Sequence, residues 1–369
     1  MRRFSLVFLV AAVCCGPSAV WADTLTSALS AAYRNNPSLN AARADLRATD
    51  EGVPQARANL RPFVSGSTQY GYSYSRTESS GLTTESHSDP LTFNLSVSQN
   101  VFTGFQTRNA IRGAESAVLG GRQDLIQAEQ TVLLDAATAY MDVVRDQALV
   151  ELNQQNVEVL REELRSTRDR FEVGEVTRTD VAQAESRVSE GIGNLRTAEG
   201  NLASSRATYQ DIIGKMPGQL VFPRALGFTT PPTLESALGT AAAQHPAILS
   251  AKHGVETAEY NIKELTGQLL PTLTVEATAS RTYDVSDTID DSEAFEITGN
   301  LNIPLYQQGL VSSQVRQAKH QRTSAQLSLD DARRQIRSDV TSSWATLEAT
   351  KGEILADVEI GRASCRERV

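Results

Sequence analysis

Few side chains in this 369-residue chain are spaced for chemistry. The four histidines, His87, His245, His253 and His320, are scattered, and His245 and His253 read as eight apart with no carboxylate at ligand spacing. A metal site needs convergent ligands, and a nucleophile needs a base within reach. Solvated or helix-capping roles suit these histidines better. Two adjacent acid pairs are candidates for acid–base work. Glu162–Glu163 falls on a polar helix face and Asp290–Asp291 in a loop, where carboxylates are simply solvated. No glycine-rich phosphate cradle occurs. The cysteines are Cys14, Cys15 and Cys365, so the long interval between them offers no disulfide framework and no thiolate site. The chain reads as a protein that is not an enzyme and carries no cofactor or metal. Asp180 is the acid that stands out. It follows a helix-breaking turn, where a carboxylate either caps the next helix or meets a gate or partner.

The elements that place these residues come in two copies. Thr24–Leu25 through Pro62 aligns with Thr233–Leu234 through Pro271 at a constant offset of 209. Leu25, Ala28, Leu29, Pro37, Ala42 and Leu60 meet Leu234, Ala237, Leu238, Pro246, Ala251 and Leu269. Further on the offset is 204: Val97 meets Leu301, Phe102 meets Tyr306, Arg112 meets Arg316 and Tyr140 meets Trp344. The change of offset falls in a polar segment, as expected of a variable loop inside a tandem structural repeat. Each copy runs helix, strand, polar loop, strand, long helix. The boundaries expected are 23–216 for the first repeat, 217–232 for a linker and 233–359 for the second repeat.

Four runs beside the repeat prolines alternate with period two. Leu91, Phe93, Leu95, Val97 and Val101 alternate with Thr92, Asn94, Ser96, Ser98 and Asn100. Leu273, Val275, Ala277 and Ala279 do the same, as do Phe295, Ile297, Leu301, Ile303 and Leu305. The first run, from Phe63 to Arg76, is weaker, but Tyr70, Tyr72 and Tyr74 share one face. Each run has roughly the 10 residues of a transmembrane β-strand, with one face for lipid and tyrosines for an interfacial girdle. Half-buried strands of a soluble sandwich alternate in the same way. If the strands do span a membrane, four cannot close a barrel, so several chains must share one.

The helical segments are too long for a globule. No proline occurs between Pro90 and Pro217. From Thr103 to Arg170 apolar residues recur at three and four, which over about 65 residues gives a helix of roughly 100 Å. Gly120–Gly121 is the expected bend or break. Gly174 suits a left-handed C-terminal cap, and Thr179 or Asp180 an N-cap, with Gln183 three beyond Asp180. The return helix carries Ala184, Val188, Ile192, Leu195, Ala198 and Leu202 and ends near Ile213–Gly214. The pattern is an antiparallel coiled-coil hairpin with its tip at 173–180.

The two ends differ from the rest. Arg2–Arg3, the apolar run Phe4–Val13 and Val20–Trp21–Ala22 read as a signal peptide over residues 1–22, cleaved before Asp23. A lipoprotein with Cys14 or Cys15 modified is the alternative. Residues 360–369 resemble the translation of a sequencing-adapter oligonucleotide; the alternative is a genuine basic tail. The whole chain carries a formal charge of −9. The interval 23–359 is more acidic still, since Arg2, Arg3, Arg362, Arg366 and Arg368 lie outside it against Glu367 alone. That balance argues against nucleic acid as a partner.

At this point the chain resembles the TolC-type outer-membrane factor family, the exit ducts of efflux and type I secretion systems. The residues that carry the resemblance are Leu25–Leu29 with Asn36–Pro37, Asp50–Arg57 leading to Leu60–Pro62, and Gln99–Gly104. The strongest is Arg170–Ala184, which contains Gly174, Glu175, Val176, Thr177, Arg178, Thr179 and Asp180. The resemblance covers nearly all of 23–359, and the order of its motifs within a duplicated chain is highly specific. It implies an α plus membrane-β fold in which four strands per chain contribute to a shared trimeric twelve-stranded β-barrel. Long α-helical hairpins would continue the barrel as a tunnel. The chain would be a homotrimer in the outer membrane, extending into the periplasm. Its lipid-facing strand residues would be Leu91, Phe93, Leu95, Val97, Leu273, Val275, Phe295, Ile297, Leu301 and Ile303, with Tyr70, Tyr72 and Tyr74 at the interface. Residues 174–180 would dock a periplasmic adaptor protein of an inner-membrane pump. The family has a second tip, which the offset of 204 would put near position 378, so the second repeat reads as cut short and its entrance residues have no counterpart here. The rival of another class is an exported trimeric coiled-coil adhesin stalk. Stalks repeat short motifs, whereas this duplication is of a whole helix–strand–strand–helix unit.

Overall fold

A computed structural model describes residues 23–223, 230–286 and 289–366, with side chains to residue 359. The leader, part of the linker and the last three residues of the tail lie outside the described residues. In chain order the elements are α1 (Leu25–Asn35), α2 (Pro37–Asp50), α3 (Gly52–Ala58), β1 (Phe63–Tyr70), β2 (Ser73–Ser79), β3 (Leu82–Ser88), β4 (Leu91–Thr103), α4 (Gln106–Glu172), α5 (Arg178–Ile213), α6 (Leu234–Gln244), α7 (Pro246–Gly267), β5 (Thr272–Ser286), β6 (Ile289–Asn302) and α8 (Leu310–Arg366).

Matched elements start with matched devices. α1 and α6 begin 209 residues apart, as do α2 and α7, while α4 and α8 begin 204 apart. Thr24 caps α1 by accepting from Ser27 N at 3.3 Å, and Thr233 caps α6 by accepting from Ser236 N at 3.2 Å. Asn36 Oδ1 accepts from Ser38 N at 3.0 Å at the start of α2, and His245 Nδ1 accepts from Ala247 N at 3.2 Å at the start of α7. Each is followed by a proline, whose missing N–H has no partner to lose in a first turn.

The chain divides into two compact units, Met1–Asn40 with Glu129–Phe228, and Ala41–Ala128 with Thr229–Val369. In the first, α1 lies on α5, and Leu25, Ala28, Ala32, Leu39, Tyr209 and Ile213 are buried. The second holds a four-stranded antiparallel sheet in the order β1-β4-β5-β6, and its helix layer includes α7 packed on α8. All four sheet strands join their helices at one end, through residues 58–63, 103–106, 267–272 and 302–310. At that end Gly104 has φ 60°, and a Cβ placed there would strike the Gly267 carbonyl, so the strand-to-helix elbow requires glycine on both sides.

Three expectations are corrected here. Gly120–Gly121 does not break α4, which runs unbroken through both residues. A Cβ on Gly120 would lie 3.5 Å from His253 Cβ, and one on Gly121 3.3 Å from Leu46 Cδ1. The pair therefore lets neighbouring helices approach and is not a hinge. The first strand does not run to Arg76; β1 stops at Tyr70, where Gly71 N donates to the Pro90 carbonyl and Pro90 has no N–H to return. The polar segment after it is not a loop but the β2–β3 hairpin, turned at Ser80 (φ 54°) and Gly81 (φ 82°).

Candidate membrane face and hairpin tip

Strand register decides which side chains share a face. Leu95 pairs with Ala279 and Ala279 with Phe295; Val97 pairs with Ala277 and Ala277 with Ile297. Phe93 pairs with Arg281, and Arg281 with Glu293; Leu91 pairs with Tyr283, and Tyr283 with Asp291. Gly66 and Val64 extend the rows onto β1. Leu91, Phe93, Leu95, Val97, Leu273, Val275, Phe295, Ile297 and Leu301 thus lie on one face of one sheet, and Phe93, Leu95, Phe295, Ile297 and Leu301 are exposed. The other face is hydroxylic, with Thr92 Oγ1 3.1 Å from Thr282 Oγ1 and Ser65 Oγ 2.8 Å from Ser96 Oγ.

At the edges of this face the alternation fails in three places. A bulge between Asn100 and Phe102 takes Val101 out of the ladder and pairs Phe102 with Leu273. Ile303 lies just beyond β6, next to Pro304. Tyr70 ends β1, Tyr72 lies between strands and Tyr74 belongs to β2, so the three tyrosines do not share one strand. All three are exposed; Tyr74 packs on His87 with ring centroids 4.9 Å apart, and Tyr72 Oη lies 3.2 Å from His87 Nδ1.

The hairpin tip joins α4 to α5. Gly174 takes φ 82°, its N–H donates to Phe171 O at 3.0 Å, and Glu175 N donates to Arg170 O at 2.9 Å. This pair of bonds is a Schellman cap, which satisfies the last carbonyls of α4. The N-cap of α5 is neither Thr179 nor Asp180, as the sequence suggested, but Thr177. Its hydroxyl accepts from Asp180 N, and Asp180 Oδ2 accepts from Thr177 N at 2.8 Å. The box forms because Thr177 is extended and Asp180 falls three residues later, facing it. The Thr177 N–H first, and then the Thr177 hydroxyl, both donating to Asp180 Oδ2, hold the Asp180 carboxyl below its usual range. Phe171 and Val173 are exposed beside the turn, and Arg170 Nε lies 3.2 Å from Glu175 Oε2.

Below the tip α4 and α5 are tied by Arg168–Glu185 at 2.6 Å and Arg187–Glu163 at 3.5 Å, so Glu163 is an ion-pair member. A Cβ on Gly191 would lie 2.8 Å from Leu160 Cδ1, so a larger residue there would have to turn the Leu160 side chain aside. Further along, Asp146 accepts from Arg145 Nε at 2.9 Å and from Ser205 Oγ. Burial pushes Asp146 up, but these bonds outweigh it and hold the carboxyl below its usual range.

Sequence reasoning missed one cluster altogether. Tyr140 Oη donates to Asp23 O (2.8 Å) or Val221 O (2.7 Å) and accepts from Val221 N, while Lys215 Nζ holds Asp23 Oδ1 at 2.6 Å. The partners are far apart in sequence, and no local pattern signals them. Tyr209 lies beside Tyr140, fully buried, and its hydroxyl lacks a hydrogen-bond partner among the described residues. Burial, with Asp23 and Tyr140 adding to it, pushes this phenol up to about 12. His253 also needs correcting: a carboxylate does stand within reach, since Nδ1 lies 3.0 Å from Glu256 Oε2 and Ser116 Oγ donates to the same oxygen. The His253 bond is the main reason Glu256 lies below its usual range. The described residues hold no group of three or more metal-ligating side chains.

Among the described residues no helix is long and apolar enough to cross a membrane. The family model for outer membrane efflux proteins matches residues 28–215 and 237–360. The chain belongs to that family. It is 36% identical over 352 residues to the outer membrane efflux protein BepC of Brucella suis biovar 1 (strain 1330), covering 95% of this chain and 75% of that protein. Outer membrane protein TolC of Escherichia coli (strain K12) is 28% identical over 351 residues, covering 91% and 70%. The fold matches the solved structure of CusC with TM-score 0.77 at 14% identity, over 90% of this chain and 77% of that one. As a member of the outer membrane efflux family, the protein is an outer-membrane channel of the efflux and secretion class that reaches into the periplasm. This family consists of channels, not catalysts, and membership goes against the adhesin-stalk alternative.

Proposed function

We propose that three copies of this chain close a twelve-stranded barrel and form a passive exit duct for small molecules or unfolded polypeptide. One observation carries the reading: β1 and β6 are open edges of a sheet with one apolar exposed face. An open edge in lipid leaves a row of unsatisfied backbone groups, each costing several kcal/mol. Pairing β6 of one copy with β1 of the next removes every edge, and twelve strands leave room for a lumen. Residues 1–22 act as the export signal, residues 23–216 and 233–359 as the two repeats, and 217–232 as their linker. The apolar face meets outer-membrane lipid and the hydroxylic face lines the lumen. Residues 174–180 dock a periplasmic adaptor, which couples the duct to an inner-membrane pump.

The test is the oligomer. Extracted in detergent, the protein should migrate on unheated gels at three times its denatured mass and collapse to the single-chain mass on heating. A monodisperse monomer, soluble without detergent, would refute the shared barrel.

A further inference from the structure

The two repeats set their strands in the same register. Moved by 209 and 204 residues, the β1–β4 pairs Phe63–Ser98 and Tyr70–Leu91 become Thr272–Asn302 and Ala279–Phe295. The β5–β6 ladder contains both of these pairs. The offsets read from sequence therefore give one hairpin's register from the other's. The β2–β3 ladder extends the first hairpin without a slip. From Tyr70–Leu91 the count passes through Gly71 and Pro90, joined by a hydrogen bond, to Ser73–Ser88. β1 and β2 are thus successive lengths of one edge, open along both among the described residues.

The other open edge is β6. Phe295, Ile297 and Leu301 are exposed along it, and Leu305 and Tyr306, just past its end, are more exposed still. Gly299 leaves a gap in the apolar row: nothing lies within 4 Å of a Cβ placed there. One ladder of the sheet already joins the end of one repeat's hairpin to the start of the next. That ladder is β4–β5. β6 meeting β1 of another copy is the same junction, because β6 corresponds to β4 and β1 to β5.

We propose that β6 of one copy pairs with β1 and β2 of the next in the register of the β4–β5 ladder, an inference that rests on the shared barrel. Moved by the same offsets, Gln99–Val275, Val97–Ala277 and Leu95–Ala279 become Ile303–Gly66, Leu301–Thr68 and Gly299–Tyr70. Phe93–Arg281 and Leu91–Tyr283 become Ile297–Tyr72 and Phe295–Tyr74. The first residue of each pair belongs to one copy and the second to the next. Each glycine of the seam then meets a large side chain. The Tyr70 ring covers Gly299, as aromatic residues do for glycines at strand edges, and Ile303 stands beside Gly66. Tyr72 and Tyr74 make cross-strand pairs with Ile297 and Phe295. One row further, Arg76 faces Glu293. In the single chain Arg76 lies 3.5 Å from Glu85, and Glu293 lies 2.8 Å from Arg281. Across the seam that row reads Glu85, Arg76, Glu293, Arg281, and the sign alternates at every step. Beyond it Glu78 faces Asp291, whose carboxylate Arg281 holds at 3.1 Å. The bulge carries over too: Val101 corresponds to Leu305, and Phe102–Leu273 becomes Tyr306–Val64. A slip of one residue would turn the apolar face of β6 toward the lumen, and a slip of two would take Tyr70 off Gly299.

The test is disulfide trapping in the full-length protein with Cys365→Ser, the other two cysteines lying in the leader. Gln69→Cys, on the hydroxylic face, is combined in turn with Thr298→Cys, Asn300→Cys and Asn302→Cys. The proposed register sets position 69 opposite position 300. Directly opposed Cα atoms are about 4.5–5.5 Å apart, within disulfide reach, and partners two residues out of register about 7–8 Å, beyond it. Within one chain β4 and β5 stand between these positions, so any such bond joins two copies. After oxidation, heated non-reducing gels should show the 69/300 variant mostly as covalent trimer and the other two mostly as single chains. Coexpressed chains carrying Gln69→Cys alone and Asn300→Cys alone should give covalent dimers. Trapping strongest at 298 or at 302 overturns the register and leaves the shared barrel standing. Trapping at none of the three, in variants that still run as trimers on unheated gels, means that β6 and β1 do not meet and overturns the shared barrel as well.

Discussion

At the scale of single residues, Gly174 is the position where backbone conformation alone dictates identity. Its φ of 82° is left-handed, and nothing lies within 4 Å of a Cβ placed there, so the penalty of substitution is torsional and not steric. We expect Gly174→Val to destabilise the tip by at least about 1–2 kcal/mol, since a β-branched residue is poorly suited to that region. Faster proteolytic nicking at 171–178, with the oligomer intact, would register it; an unchanged nicking rate would mean the turn is not under this constraint. Tyr209 makes a different demand. Its phenol lies at about 12 in the fold against an ordinary value near 10, so between those values the unfolded chain has lost its proton and the folded chain has not. Stability is then fully present below pH 10 or so and falls as pH rises toward 12. Tyr209→Phe should flatten that alkaline decline and leave neutral-pH stability unchanged or raised, because the hydroxyl it removes has no hydrogen-bond partner among the described residues. Melting temperatures of both proteins between pH 8 and 11 decide the matter.

Among the elements, the sheet carries the sharpest expectation. The two sides of β4 are not equivalent: Val97 is on the apolar face and Ser98, its neighbour, on the hydroxylic one. Val97→Arg should cost on the order of 2–4 kcal/mol if its row lies near mid-depth, whereas Ser98→Arg, on the face proposed to line the lumen, should be tolerated. Urea titrations of folding into liposomes would measure both. Equal penalties would mean the faces have been assigned wrongly. The alternation that revealed this face was legible because period two is a local property of sequence. Its interruptions were not. The bulge at Val101 depends on how β4 meets β5, a strand that begins some 170 residues later, and the stop at Tyr70 depends on Pro90 across the ladder.

For the whole molecule, the duplicated architecture and the open edges of the sheet point to assembly, and the tip points to a partner. Cysteines placed singly at 176–179 should crosslink to a periplasmic adaptor in cells, and Asp180→Ala, which removes half of the capping box, should weaken that capture. Crosslinks confined to extracellular or outer-membrane proteins would reverse the orientation proposed for the duct. The tip was read from sequence in the right place but with the wrong cap. Thr177, Thr179 and Asp180 all favour N-cap positions, and only the extended backbone at Thr177 selects among them.

What the sequence determined by itself was everything carried by local period and by self-similarity. The two repeats, the long proline-free helices, the apolar strand faces and the glycine at the tip are patterns a short window of residues expresses, because helix and strand expose their side chains at fixed intervals. What only the tertiary structure decided were contacts between distant segments. Gly120–Gly121 reads as a break in isolation and proves to be a seat for neighbouring helices. Tyr140 reads only as the repeat counterpart of Trp344, and in the fold its buried hydroxyl also ties Asp23 to Val221. Asp291 reads as a solvated residue of a loop, until the β5–β6 register sets it beside Arg281 and Glu293 at the rim of the apolar face. A residue's partners depend on where the folded chain brings other residues, and periodicity carries no record of that.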